Sequence, residues 1–343
     1  MHKKKGGNTM RKKFMGFVAL IFAITLVLTG CGANTTNNNA ASGNTEKKTP
    51  AGNKYLTIAT GGTSGVYYTL GGAMAKFYNE KLGYNASAQT TSGAVENINL
   101  LNAKKVDMII VMVDSASDAA AGKASWEKTG PIKNMKSLGG LYMNYVHVIA
   151  PKDKNIKSVE DLKGKKIGVG APNSGTEVNA RMVLKGYGLT YDDVKPDYLS
   201  FAECVEQLKN GSIDAAFITA GLGVSAVIDL QTALDVEVVP VETADVEKMK
   251  ADGAAVSPGE IPAGTYKNDK AVPTVAIKNI LAVRDDMPED QAYELTKTFY
   301  ESLDQLVAAH KTAEQISIDA AVKDLEIPLH PGAEKYFKEI GKN

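Results

Sequence analysis

The chain has 343 residues, of which 39 are basic and 39 are acidic. Residues 1–30 hold six of the basic residues and no acidic one, so the rest of the chain has 33 basic residues against 39 acidic ones and a net charge of −6. This balance argues against a nucleic-acid partner and against electrostatic adhesion to anionic lipid. About 290 residues follow position 53, which is enough for two lobes.

The N-terminal segment has the pattern of a secretory signal. A basic head precedes an apolar run at 14–28, which is shorter than the roughly 20 residues that span a bilayer. The run ends in Leu28-Thr29-Gly30-Cys31, which resembles the lipobox of bacterial lipoproteins. The resemblance implies a signal peptide at 1–30, a lipid on the Cys31 thiol and cleavage before Cys31. The alternative is an uncleaved anchor with an ordinary buried cysteine. Met10 would also serve as a start.

Residues 31–53 are rich in Asn, Thr, Ala, Gly and Ser, which predicts a flexible tether with nothing to bury. We therefore expect a protein that is lipid-anchored at the outer face of the cytoplasmic membrane. A lipid tether suits a Gram-positive-type envelope, from which an untethered receptor would be lost. The second cysteine, Cys204, has no partner for an intramolecular disulfide and is predicted to be a buried, inert thiol.

Strands and helices alternate, and one arrangement occurs twice. From Tyr55 to Val113 we predict a strand, a polar loop, a helix, a short strand, a helix and an apolar strand, and the same order recurs from Lys166 to Thr219. Asp107 and Asp214 each occupy the second position of the last strand. We expect an α/β protein of two similar lobes, each a mostly parallel sheet flanked by helices.

The connections between the repeats suggest lobe boundaries. We assign 54–147 and 272–343 to lobe 1 and 148–271 to lobe 2, with predicted strands at 145–150 and 274–283 near the crossings. Residues 257–270 are predicted to form a loop because of their Gly and Pro content. Residues 289–311 are predicted to form one long amphipathic helix.

Three polar loops, at 61–68, 90–96 and 172–177, each follow a predicted strand and open a helix. In open α/β sheets, ligands lie outside the carboxyl ends of the strands, and backbone N–H groups at helix starts favour an anion. The loops could therefore hold a carboxylate or phosphate without arginine.

Structural alternatives exist for several of these residues. Ser174 and Glu177 have capping-box spacing and could satisfy only their own helix. Asp114 follows a strand, where it would either recognise an amine or cap a helix. Arg181 lies four residues after Glu177, so it is expected to pair with that carboxylate at the surface. The Gly61-Gly62 pair could simply form a tight turn.

Catalytic patterns are absent from the sequence: there is no HExxH, no spaced Cys/His set and no Gly-x-Ser-x-Gly. We predict a protein that is not an enzyme and needs no cofactor and no metal. His147 lies within a predicted strand and is expected in the core or hinge. The competing enzymatic hypothesis is a surface hydrolase with Ser64 or Ser174 as nucleophile.

Four motifs together resemble one family: GGTSGVYY (61–68), TSGAVEN (91–97), PNSGTEVNA (172–180) and IPAGTY (261–266). They are similar to the TRAP-associated extracytoplasmic immunogenic (TAXI) proteins, the substrate-binding subunits of tripartite ATP-independent periplasmic (TRAP) transporters. The resemblance implies a two-lobed, type II-like periplasmic-binding-protein fold. It also implies a monomer that binds a small anionic metabolite, a glutamate-like amino acid or a carboxylate, and docks on TRAP membrane subunits. The alternative is an anion-binding lipoprotein, for phosphate or phosphonate, of an ABC importer.

Carried over motif by motif, the resemblance assigns ligand binding to the three loops, with two further candidates outside them. The predicted site comprises Gly62, Thr63, Ser64, Tyr67, Thr91, Ser92, Ser174, Gly175 and Thr176, with Asp114 and Asn144 as the additions. The arginine clamp of dicarboxylate-binding relatives has no equivalent in this chain.

Overall fold

The computed structural model describes residues 54–342, so the predicted signal peptide, Cys31 and the tether lie outside the described residues. Within this range the strands are β1 (Lys54–Ala59), β2 (Tyr84–Gln89), β3 (Met108–Met112), β4 (Met135–Pro151), β5 (Lys166–Gly168), β6 (Lys195–Asp197), β7 (Ala215–Ala220), β8 (Val236–Val239), β9 (Ser257–Ile261) and β10 (Val272–Arg284). The α-helices are α1 (Val66–Leu82), α2 (Ala94–Asn102), α3 (Val113–Ala121), α4 (Gly175–Gly186), α5 (Phe201–Lys209), α6 (Ser225–Ala233), α7 (Thr243–Ala251), α8 (Glu289–Tyr300), α9 (Leu303–Ala309) and α10 (Pro331–Glu339).

The predicted repeat is present. β1 lies between β2 and β3 and pairs with both in parallel, and β5 has the same relation to β6 and β7. We call β1 to α3 the first unit and β5 to α7 the second unit. Asp107 accepts a 2.8 Å hydrogen bond from the backbone N–H of Thr57, and Asp214 accepts one of 3.0 Å from that of Lys166. The two aspartates thus join equivalent strands, which explains why the sequence repeats them.

Two long antiparallel strands, β4 and β10, join the two units into one mixed sheet. Residues 279–283 of β10 pair with β3 of the first unit, whereas 272–276 pair with β9. Along β4, residues 145–149 pair with β7 of the second unit. The α/β fold class is therefore as predicted, with the difference that the two parallel portions share one continuous sheet.

Several predicted elements differ from the structure. Residues 257–270 contain β9, because 257–261 complete the edge of β10. The single helix predicted at 289–311 is two helices, α8 and α9, and the Ser302 hydroxyl at the break donates a 2.6 Å hydrogen bond to the Thr298 carbonyl. Apolar residues of both helices, such as Phe299 and Leu306, are buried. Their helical spacing continues across the break, so the sequence pattern indicated a single helix.

The core consists of two apolar clusters, one on each face of the sheet. Alternate residues of β3 go to different clusters: Met108 and Ile110 to one, Ile109 and Val111 to the other. Such a strand is covered on both faces, as its uninterrupted apolar run predicted. No helix within residues 54–342 has the length and apolar character to cross a membrane.

Candidate functional site

A cavity of about 60 Å³ lies at the carboxyl ends of the parallel strands of both units. This is where open α/β sheets bind ligands. Seven of the eleven predicted site residues line it: Gly62, Tyr67, Ser92, Asn144, Ser174, Gly175 and Thr176. The structure thus brings the three polar loops together, and it adds side chains from the crossing strand β4 and from β7.

No charged side chain is among the residues that line this cavity. The helices that follow the three polar loops all begin at it: α1 after Gly65, α2 after Gly93 and α4 after Ser174. The first two have no side-chain cap, so hydrogen-bond donors at their first turns are left to other partners. Gly93 has φ of +122°, a backbone conformation that other residues rarely adopt.

Ser174 lies where it can serve both predicted roles, as the cap of a helix and as a cavity residue. Its hydroxyl accepts a 3.1 Å hydrogen bond from the backbone N–H of Glu177 and so caps α4, while the residue also lines the cavity. The reciprocal half of the predicted capping box is missing, because the Glu177 carboxylate instead pairs with Arg181 at 2.5 Å and accepts a hydrogen bond from Tyr191 at 2.8 Å. The predicted Arg181–Glu177 pair is therefore confirmed, and Arg181 is not among the cavity residues.

The second loop is held by Thr91, which does not line the cavity. Its hydroxyl donates to the Asn97 side-chain carbonyl at 2.6 Å and accepts from the backbone N–H of Gly93 at 3.1 Å. Asn97 in turn donates to the Thr60 carbonyl at 2.7 Å. Ser92, next along the chain, faces the cavity and is bonded to the Glu96 carboxylate through its backbone N–H (2.7 Å) and its hydroxyl.

The hydroxyl-bearing residues of the first loop, Thr63 and Ser64, lie outside the cavity lining. Thr63 is exposed, and the backbone carbonyl of Ser64 accepts a 3.0 Å hydrogen bond from Ser225 at the start of α6. The loop therefore contributes its glycines to the cavity, and Ser64 contributes a contact with the second unit.

Asp114 is buried and is not among the residues that line the cavity. Asn179 of α4 donates a 2.6 Å hydrogen bond to its carboxylate, and the Ser115 backbone N–H donates one of 2.5 Å. Burial raises the pKa of this carboxyl to about 6, against the lowering effect of the two hydrogen bonds. The helix-cap alternative for Asp114 is wrong, because α3 follows β3 without a loop and Met112 occupies the N-cap position.

A cluster of tyrosine and asparagine side chains forms one wall. The Tyr67 hydroxyl donates to Asn279 Oδ1 at 2.5 Å, and Asn144 Nδ2 approaches the Tyr67 oxygen at 3.4 Å. Asn279 Nδ2 donates to the Tyr142 backbone carbonyl at 2.9 Å. Burial, and secondarily the Asp114 carboxylate, raises the pKa of Tyr67 well above its ordinary value, so its phenol keeps its proton.

The sequence reasoning missed Tyr142 and Thr219, which also line the cavity. The Tyr142 hydroxyl, Thr219 Oγ1 and Asn144 Oδ1 are buried and have no hydrogen-bond partner in the described chain. Buried polar groups are rarely left unpaired, so three of them at one cavity indicate a place for a ligand or water. The only signal in the sequence concerned Thr219, a polar residue at the end of a predicted apolar strand.

The remaining candidates lie in the core. Cys204 is fully buried, and burial raises the pKa of its thiol to about 12, as expected for an inert cysteine. His147 is buried in β4, bonded through Nδ1 to the Ile218 carbonyl at 2.9 Å, and burial lowers its pKa to about 4. Among residues 54–342 no group of three His, Cys, Asp or Glu side chains is placed to hold a metal.

The fold is similar to that of two-lobed periplasmic binding proteins. A solved periplasmic transporter structure is similar with a TM-score of 0.51 at 15% identity, covering 85% of this chain and 93% of the other. The chain belongs to the NMT1-like family, whose sequence model matches residues 58–341.

Two further solved structures are similar with TM-scores below 0.5. The aliphatic sulphonate-binding protein of Escherichia coli has 17% identity and a TM-score of 0.44, with 84% of each chain covered. The binding component of an ABC phosphonate transporter from Pseudomonas aeruginosa has 14% identity and a TM-score of 0.48, with 80% of this chain and 84% of the other covered.

Proposed function

We propose that the protein is an extracytoplasmic receptor for a small anionic solute, which it binds in the cavity between the two units and delivers to an importer. The observation that carries this proposal is the convergence of three helix N-termini on one cavity lined without charge. Each helix start is equivalent to roughly half a positive charge and offers backbone N–H donors.

The acidic residues at these helix starts do not oppose the proposal. Glu96 is bonded to Ser92, Glu177 is paired with Arg181, and neither lines the cavity. The hydroxyls of Ser174 and Thr176 each accept a backbone hydrogen bond and keep their own hydrogen, so they add donors beside the backbone N–H groups. An anionic group can therefore be bound without an arginine.

Contacts between the units support a receptor that closes on its ligand. The Glu96 backbone N–H donates a 3.0 Å hydrogen bond to the Asn173 carbonyl, which joins the second and third polar loops. We propose that the units belong to lobes at 54–147 plus 272–343 and at 148–271, and that bending of β4 and β10 opens the cavity. Register shifts between Lys278 and Ile280 and between Leu281 and Ala282 lie in the strand that would bend.

The partner and the location are further parts of the proposal. A lipid at Cys31 and the 31–53 tether would hold the receptor near its importer at the outer face of the membrane. We take an ABC importer as the first candidate partner and a TRAP-type transporter as the second. An ATPase gene beside this one would support that choice, and a large membrane protein without an ATPase would support TRAP.

The receptor function can be tested by thermal unfolding with a panel of carboxylates, amino acids, phosphonates and sulphonates. Protein cleared of co-purified solute should be stabilised by about 2.7 kcal/mol at a ligand concentration 100 times the dissociation constant. Stabilisation by no small anion would contradict the receptor function.

A further inference from the structure

The side-chain carbonyl of Asn144 is an acceptor without a partner. Asn144 lies on β4, is 2% exposed and lines the cavity. Its Oδ1 has no hydrogen-bond partner in the described chain. The other unpaired atoms of the cavity, on Tyr142 and Thr219, are hydroxyls, which can donate or accept; a carbonyl oxygen can only accept.

The orientation of the Asn144 amide follows from its neighbours. Asn279 must present Nδ2 to the Tyr142 carbonyl, at 2.9 Å, and so turns Oδ1 towards Tyr67. The Tyr67 phenol has one hydrogen, which it donates to that Oδ1 at 2.5 Å. The Tyr67 oxygen can then only accept, and Asn144 offers it Nδ2 at 3.4 Å. Asn144 Oδ1 therefore has no donor within the described chain and is available to a solute in the cavity.

We infer that the solute carries, besides its anionic group, an O–H or N–H donor that bonds to Asn144 Oδ1. This inference rests on the proposed receptor function and narrows it to hydroxy or amino acids in preference to oxo acids. Asn144 is then a specificity-determining residue, and Tyr67 and Asn279 are positioning residues that fix its amide. A solute with a carbonyl at this point would face another carbonyl and leave the buried acceptor unpaired.

The test measures dissociation constants of the purified full chain for two matched series of acids. One series is lactate, alanine and pyruvate, and the other is 2-hydroxyglutarate, glutamate and 2-oxoglutarate. In at least one series, the hydroxy or the amino acid should bind tenfold or more tightly than its oxo counterpart; which of the two does so identifies the donor. The variant Tyr67→Phe frees the Asn144 amide to rotate and should reduce that ratio to near one.

The matched control is Tyr68→Phe, at the neighbouring, 36% exposed position of the same helix, which should keep the wild-type ratio. If Tyr67→Phe does not fold, Asn144→Ala replaces it in the test and must bring the same affinity ratio to near one. Equal affinity for oxo acids and their donor-bearing counterparts in the wild type would overturn this inference and leave the receptor function standing. Binding of no acid in either series, and of no other small anion, would overturn both.

Discussion

The Asn179 side chain of α4 donates a 2.6 Å hydrogen bond to the buried carboxylate of Asp114 on α3, and so joins the second unit to the first. Burial raises the pKa of this carboxyl to about 6. Because the folded-state pKa exceeds that of the unfolded chain, the folded protein binds more protons between about pH 4 and pH 6. Burial therefore favours the protonated carboxyl, against the hydrogen bond from Asn179, which favours the ionised form.

The first prediction concerns pH. The free energy of unfolding should fall by about 3 kcal/mol through this one group as the pH rises from about 4 past 6, at 1.36 kcal/mol per pKa unit. Urea unfolding of Asp114→Asn across this range should lack that part of the decline. The control Asp192→Asn, at an exposed aspartate, should keep the wild-type profile. An unchanged profile in Asp114→Asn would show that the carboxyl titrates normally.

The second prediction separates capping from binding at Ser174. Ser174→Ala should lower the free energy of unfolding by about 1 kcal/mol through loss of the helix cap, and should also weaken solute binding. The control is Ser200→Ala. The Ser200 hydroxyl caps α5 in the same way, but Ser200 does not line the cavity. It should cost similar stability without loss of affinity. If the two variants bind the solute with equal affinity, Ser174 caps α4 and takes no part in binding.

The third prediction tests the packing of α1 on β1. A Cβ added at Gly71 would lie 2.3 Å from Thr60 Cγ2, and Thr60 is fixed by a 2.7 Å hydrogen bond to the Gln89 carbonyl. Gly71→Ala should therefore destabilise the protein by about 1–3 kcal/mol. The neighbouring Gly72 has nothing within 4 Å of such an atom, so Gly72→Ala should stabilise by about 0.5–1 kcal/mol. Effects of the same sign in denaturant unfolding would contradict this packing.

The fourth prediction concerns the anchor. Cys31→Ser should release the protein from the membrane fraction into the medium and reduce uptake, because the local concentration of receptor at the importer falls. The affinity of the purified protein for its solute should stay the same. Retention of Cys31→Ser in the membrane fraction would favour the uncleaved anchor.

Much of the fold was predictable because it repeats. Asp107 and Asp214 each directly precede the third strand of their unit and accept a hydrogen bond from the first strand, so the same pattern appears twice in the sequence. The length of β4 was missed because residues 135–144 include Gly139 and Gly140 and are held as strand by pairing with the distant β10. Local sequence does not report such long-range pairing.

The site was predictable to the extent that loops define it. Gly62, Ser92 and Ser174 carry a local signal, because a polar loop between strand and helix is visible in sequence. Tyr142 and Thr219 lie inside strands, and only tertiary packing points them at the cavity. Asp114 follows its strand as expected, but its carboxylate accepts a hydrogen bond from Asn179 of the other unit.

The helix starts at the cavity are proposed to bind the anionic group of the solute. The most direct measurement compares the dissociation constants of the best-binding acid and of its uncharged primary amide, by calorimetry on protein cleared of co-purified solute. We expect the acid to bind and the amide, which lacks the charge favoured by the helix dipoles, to bind at least tenfold more weakly. Equal affinity of acid and amide would contradict it.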